Sequence, residues 1–119
     1  MLIEIERRDD ISIVRLKGRF VMASDADYLR TQSHQIKLGN HTKLLVDLSE
    51  VPSICSTVIG FVVDLYTSTT KKPEGRFMLA GASPRVQEVL TITRLSTVIP
   101  LAADTTSAVA ALRSSRAAV

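Results

Sequence analysis

Tryptophan is absent from this 119-residue chain, and aromatic residues make up only 4% of it. So few π-faces leave no platform on which the bases of a single-stranded nucleic acid would stack. The basic residues are scattered rather than clustered, which also speaks against nucleic acid as a partner. Cysteine occurs once, at Cys55, so an internal disulfide is excluded and a reducing compartment, the cytoplasm, is expected. No apolar run reaches the roughly 18–20 residues that a membrane-spanning helix needs. Asp64 splits the longest candidate, and Glu4, Glu6 and Arg7 interrupt the place where a secretory leader would sit. Direct membrane insertion is therefore not expected.

Catalytic patterns are missing as well. His34 and His41 have no Cys, Asp or His beside them at metal-ligand spacing, so solvated surface roles and no metal are expected. Local motifs indicate no Ser-His-Asp or Cys-His arrangement. Gly75 and Gly81 flank a strand and do not form a phosphate-binding loop. Asp25 and Asp27 suit the positive end of a helix better than paired acid–base work. The expectation is a protein that is not an enzyme and carries no cofactor.

What the chain does have is material for one core. Apolar residues are 45%, charged residues of both signs are 23%, and the net charge is +3. That balance fits one folded domain, placed at residues 1–113, with residues 114–119 read as a frayed tail. Ile3 and Ile5 alternate with Leu2, Glu4 and Glu6, the period of a half-exposed strand. A polar turn at Arg7-Arg8-Asp9-Asp10 leads to a second strand at 11–17, which predicts an antiparallel hairpin.

Gly18 breaks that strand. Ser24 is the expected cap of a helix over 24–38, with Asp25 and Asp27 in its first turn and Gly39-Asn40 as its stop. Leu44-Leu45-Val46 marks a strand at 43–48 covered on both faces. A helix over 56–70 follows, then a strand at 76–80 ended by Gly81. Ser83-Pro84 pairs an N-cap with proline at the first helical position. Val98–Leu101 reads as a short strand with Pro100 at an edge or end. Asp104 caps a last helix carrying Val109 and Leu112. The order ββαβαβαβα predicts an α/β fold, a small mixed and mainly parallel sheet with helices packed on it.

The stretch Leu44–Tyr66 carries the functional signal. On a helical wheel Ile59, Val62, Val63 and Tyr66 form one apolar stripe, and Val58, Phe61 and Leu65 form a second. A core-facing helix needs an apolar arc only a little over 100° wide, and these stripes together span roughly 200°. Either the helix is buried on two sides, or part of the second stripe is exposed for a protein contact. Ser56 opens this helix. Its ordinary role there is an N-cap. Its regulatory role is a phosphorylation site, where about −1.5 to −2 charge units would sit beside a docking surface. Cys55 lies just before a helix start, where a thiolate is stabilised, the setting of a redox sensor. A small semi-buried loop residue is the simpler reading, because no second cysteine is present to resolve an oxidised sulfur. Arg85, in the first turn of the third helix, suits a surface salt bridge, an acidic partner or a phosphate.

Asp47-Leu48-Ser49, then Cys55-Ser56-Thr57-Val58 with Gly60 two places on, resembles the STAS domains of anti-sigma factor antagonists. Leu16-Lys17-Gly18-Arg19-Phe20 is similar to that family's exit from its second strand. Phe77–Ser83, with Val86 and Leu90 after it, is similar to its later strand and helix. The resemblance covers nearly the whole chain. Cys55 stands where the family has Asp, and Val58 where it has Gly.

The resemblance implies a STAS-like domain that binds an anti-sigma factor which is also a serine kinase with an ATPase-type fold. In such partner switching, phosphorylation of the motif's serine abolishes binding and a phosphatase restores it. By position Ser56 is the acceptor and Thr57 its substitute. Val58, Phe61, Val62 and Leu65 are expected to supply apolar contact with the partner, Asp25 and Asp27 a polar rim, and Cys55 a flanking contact. The alternative is a phosphorylation-silent accessory subunit of a membrane transport or other signalling complex.

Overall fold

The computed structural model describes residues 2–19, 23–39 and 41–117; for residues 23–24 and 114–117 it describes the backbone alone. Phe20 and Asn40, two of the residues used in the sequence reading, lie outside that set.

The centre of the fold is β3 (Lys43–Glu50), whose first six residues are all buried. It is flanked by β2 (Ile11–Lys17) and β4 (Arg76–Ala80), with β1 (Leu2–Arg8) and β5 (Leu101–Ala102) outermost, in the sheet order β1-β2-β3-β4-β5. β1 and β2 are the expected antiparallel hairpin, and β2 through β5 run parallel. The helices α1 (Ala23–Leu38), α2 (Ser56–Thr70) and α3 (Pro84–Ile92) each cross from one parallel strand to the next. Because every crossover steps the same way along the sheet with the same hand, all three helices fall on one face. Leu29 and Ile36 of α1, Phe61 and Leu65 of α2, and Val86 and Leu90 of α3 join the core with Val14, Val46 and Leu79. The opposite face is covered by α4 (Thr105–Ala117), which packs Ala108, Val109 and Leu112 on Ile11, Ile13, Leu45 and Ala80. β3 thus has helices on both sides, which is why its apolar residues come in an unbroken run.

Beyond α4 that second face is polar except for Leu2 at the start of β1. Lys17 bridges Glu4 (2.6 Å) and Glu50 (3.6 Å), Arg15 bridges Glu6 (2.6 Å) and Asp47 (3.3 Å), and Arg8 adds a second bond to Glu6 (2.8 Å). The strand register sets these residues side by side, Glu4 opposite Arg15 and Lys17 opposite Glu50.

Several element ends differ from the sequence expectation. α1 begins at Ala23, one residue before the expected cap Ser24, whose side chain lies outside the described residues. Gly39 does close the helix, its N–H donating to the Ile36 carbonyl at 3.0 Å. The strand expected at Val98–Leu101 is only Leu101–Ala102, preceded by a short 3-10 turn at Leu95–Thr97. Pro100 has no N–H to give to a ladder, but its carbonyl accepts from Leu79 at 3.0 Å and so begins the pairing with β4. Both later caps form as expected: Ser83 accepts from the Val86 N–H at 3.3 Å, and Asp104 from the Ser107 N–H at 2.7 Å. α4 runs to Ala117, through most of the stretch read as a tail.

Candidate functional site

The parallel strands deliver their chain to the helix side at one edge of the sheet. After β3 the Val51 N–H donates to the Leu48 carbonyl at 3.1 Å, turning the chain toward α2. Cys55 then takes the N-cap position in an extended conformation (φ −113°, ψ 178°), and its carbonyl accepts from the Ile59 N–H at 3.0 Å. Its side chain makes no capping hydrogen bond, and the first turn of α2 holds no acidic residue. Ser56 is therefore not the cap. It is the first helical residue, and its side chain is exposed, while Thr57 is half-buried. A helix start with no side-chain cap and no acid in its own first turn has backbone N–H groups that favour an anion.

Beside this start lies a groove of about 400 Å³ between α1 and α2. Ala26, Arg30 and Ser33 line it from α1, and Ser56, Gly60 and Asp64 from α2. A methyl group built on Gly60 would meet nothing within 4 Å, so the groove is open at that level. Its far end is tied shut. Asp64 accepts from the Ser33 hydroxyl at 2.5 Å and from the Lys37 ammonium at 2.9 Å. The Ser33 hydroxyl first, and then Lys37, hold the Asp64 carboxyl below its usual range, against the opposing effect of partial burial. At the near end Arg30 donates to Asp27 at 2.8 Å on the surface.

A second cluster holds the loop from below. Asp47, the acid of Asp47-Leu48-Ser49, is buried. It accepts from the Ser49 N–H (2.9 Å), from the Thr105 hydroxyl (3.2 Å) and from Arg15 (3.3 Å). Gly81 at the end of β4 has φ +73°, and a Cβ there would come within 2.9 Å of Ser49 Cβ and 3.2 Å of the Asp47 carboxylate. The glycine is thus needed for conformation and for clearance.

A family model described as the STAS domain matches residues 3–108. The chain belongs to the STAS domain family. Solved structures similar to this STAS domain include an anti-sigma factor antagonist from Mycobacterium paratuberculosis, at 21% identity and TM-score 0.84, covering 94% of this chain and 93% of that one. Another is an anti-sigma-factor antagonist (STAS) domain protein from Planctomyces limnophilus, at 20% identity and TM-score 0.82, covering 93% and 97%. A third is the anti-sigma factor antagonist SpoIIAA of Bacillus in its unphosphorylated form, at 17% identity and TM-score 0.78, covering 94% and 96%. At these identities the likeness establishes the fold. No curated protein matches the chain.

The STAS fold overturns part of the expected contact surface. Val58, Phe61, Val62 and Leu65, read as apolar contacts for a partner, are 0%, 4%, 2% and 1% exposed. The reason is position: α2 is the middle helix, packed on α1 and over β3 and β4, so a wide apolar arc is consumed internally. Phe61 reaches the groove only as its floor. Partial exposure falls instead on Ile59, Val63 and Tyr66, the other stripe, and Tyr66 sets its ring edge-on to Phe77 at 5.8 Å. Asp25, read as a rim contact, is buried at 4% exposure, whereas Asp27 is on the surface. Cys55 is half-buried at the cap, packed against the core.

The histidines also divide. His34 is exposed as expected. His41 is half-buried, its Nδ1 2.6 Å from the Ser12 hydroxyl, which corrects its reading as a solvated residue. Burial foremost, then the charges of Arg7 and Lys72, push the His41 imidazole toward its neutral form. Among the described residues no group of three or more His, Cys, Asp or Glu side chains is placed to hold a metal ion. Among them too, no helix is long and apolar enough to cross a membrane.

The groove itself was not foreseen from sequence. The traces it leaves there are Asp64 inside the apolar run Ile59–Tyr66, and Ser33 and Lys37 one turn apart on α1 to receive it.

Proposed function

We propose that this STAS protein is a non-enzymatic regulator of the anti-sigma factor antagonist kind, acting in the cytoplasm through partner switching. Its partner is an anti-sigma factor that is also a serine kinase with an ATPase-type fold. The observation that carries this reading is the exposed Ser56 hydroxyl on the rim of the open α1–α2 groove. The kinase docks along that groove, with Thr57 and Gly60 on one wall and Asp27 at the rim. It then transfers the γ-phosphoryl of ATP to Ser56 Oγ, whose proton is lost as ADP forms; Thr57 is the substitute acceptor. A phosphatase returns the hydroxyl by hydrolysis to inorganic phosphate.

Physical chemistry supports the switch. The added group carries about −1.5 to −2 charge units at neutral pH. The start of α2 accepts it without unfolding, because its N–H groups lack a capping side chain. A partner that covers the groove must instead bury or repel that charge, so binding is lost while the fold is kept. The solved structures of SpoIIAA, described in both an unphosphorylated and a phosphorylated form, are consistent with one fold holding both states.

The test is affinity capture from cell extract with the parent protein and with Ser56→Glu as baits. The parent is expected to retain an ATP-binding serine kinase, and Ser56→Glu to retain at least about 10-fold less, equivalent to ~1.4 kcal/mol. The captured kinase with labelled ATP should label the parent and not Ser56→Ala. Label that persists in Ser56→Ala and in Thr57→Ala, or capture indifferent to Ser56→Glu, would remove the phospho-switch. One observation favours a phosphorylation-silent accessory subunit of a transport or signalling complex: Cys55 stands at the cap where an acid would otherwise help orient the hydroxyl. Capture of a transporter component with no kinase, and no labelling, would establish that second reading.

A further inference from the structure

We infer that in the phosphorylated protein Arg30 crosses the α1–α2 groove to hold the Ser56 phosphate, so that the switch works by closing the groove as well as by adding charge. The inference rests on Ser56 as the acceptor and adds to it a receiving residue on another helix.

Four observations lead there. Arg30 and Ser56 line the same groove from opposite walls, and Arg30 is the one cation among its described lining residues. The Arg30 guanidinium already points back along α1 toward the end where Ser56 lies, because it donates to Asp27, three residues earlier, at 2.8 Å. Gly60, one turn after Ser56 on the same wall, carries no side chain, and a Cβ built on it would meet nothing within 4 Å. The other charged wall residue, Asp64, is committed to Ser33 and Lys37 further along.

The exchange of partners is cheap. The Arg30–Asp27 pair is 75% and 79% exposed, and such surface pairs contribute little. A phosphate dianion offers a guanidinium more charge than a carboxylate does, with oxygens spaced for two parallel hydrogen bonds. Arg30 therefore leaves Asp27 for the phosphate, and its side chain then lies over Gly60, where a partner would enter.

The clamp can be read from the titration of the phosphate itself. Phosphoserine is installed at position 56 during translation, without a kinase, and its second ionisation, near pH 6 when unperturbed, is followed by phosphorus NMR. A guanidinium in contact lowers that value, so phosphorylated Arg30→Ala is expected to titrate higher than the phosphorylated parent, by about 0.3 unit or more. Asp27→Ala, which removes the competing carboxylate, is expected to shift it the other way. Lys71→Ala removes an equal charge at the far end of α2 and is expected to move it by less than about 0.1 unit. Equal values for the parent and Arg30→Ala, or a Lys71→Ala shift as large as that of Arg30→Ala, would overturn the clamp. All three side chains are exposed, so the variants should keep the parent's urea midpoint. Because no kinase enters this experiment, failure of the clamp and failure of the partner-switching reading remain distinguishable.

Discussion

Val58→Ala separates a core residue from a contact residue by number. Val58 is wholly buried and packs in the main cluster under α2. Truncation removes two carbons, worth about 0.8 kcal/mol each in transfer alone, or ~1.6 together. The void left behind adds roughly another 1 kcal/mol, since a helix pinned between α1 and the sheet relaxes only partly. Alanine returns about 0.5 kcal/mol through its better helix propensity. The net expectation is a loss of about 2 kcal/mol. With a urea dependence of about 2 kcal/mol per molar for a domain of this size, the midpoint of unfolding should fall by about 1 M. Ser56→Ala, two residues earlier, removes an exposed hydroxyl that caps nothing, and should stay within about 0.5 kcal/mol of the parent. Urea titrations followed by circular dichroism measure both. If Val58→Ala unfolds with the parent, or Ser56→Ala proves the more damaging of the two, the assignment of α2's faces is wrong.

Asp64 gives the protein an acid-sensitive link between α1 and α2. Its folded pKa lies below the ordinary value of 3.8, through Ser33 and then Lys37. Its contribution is therefore complete above the unfolded value and is lost as pH falls through the folded one. Asp64→Asn should be less stable than the parent at neutral pH, with the gap between their urea midpoints closing below the carboxylate range; a gap that persists in acid would refute the charge-based account. Gly81→Ala meets both a left-handed backbone and the Ser49 side chain. It should cost about 2–3 kcal/mol and lower the melting temperature by about 10 °C, while no change would mean that the β4 exit relaxes freely.

The parts of the fold legible in the sequence are those fixed by local chemistry. Alternation in Ile3 and Ile5, the unbroken Leu44-Leu45-Val46, and the caps Ser83-Pro84 and Asp104 each act within a few residues, and each element formed where it was expected. Val98 and Ile99 look like strand residues, but Arg94 in a left-handed conformation starts a 3-10 turn, and their N–H groups donate back to the Leu95 carbonyl instead of joining the ladder. The candidate site was legible only in part. Exposure of Ser56 at a helix start follows from a break in pattern, and it is present, although Cys55 takes the cap. The burial of Val58, Phe61 and Leu65 depends on which helix occupies the middle of three, and a helical wheel has no information on its neighbours. The groove depends on Gly60, Arg30 and the Ser33–Asp64 bond meeting across 31 residues of sequence, a distance no local pattern spans.

The cross-strand ion pairs on β1 and β2 shape how this protein meets a crowded solution. Glu4, Glu6 and Glu50 are answered by Arg8, Arg15 and Lys17, so that flank is richly hydrated yet projects almost no long-range field. Another molecule stacking there would strip water from six ions and gain no new counter-charge, a poor exchange. The ion-paired part of the sheet is thereby a poor surface for a lasting contact.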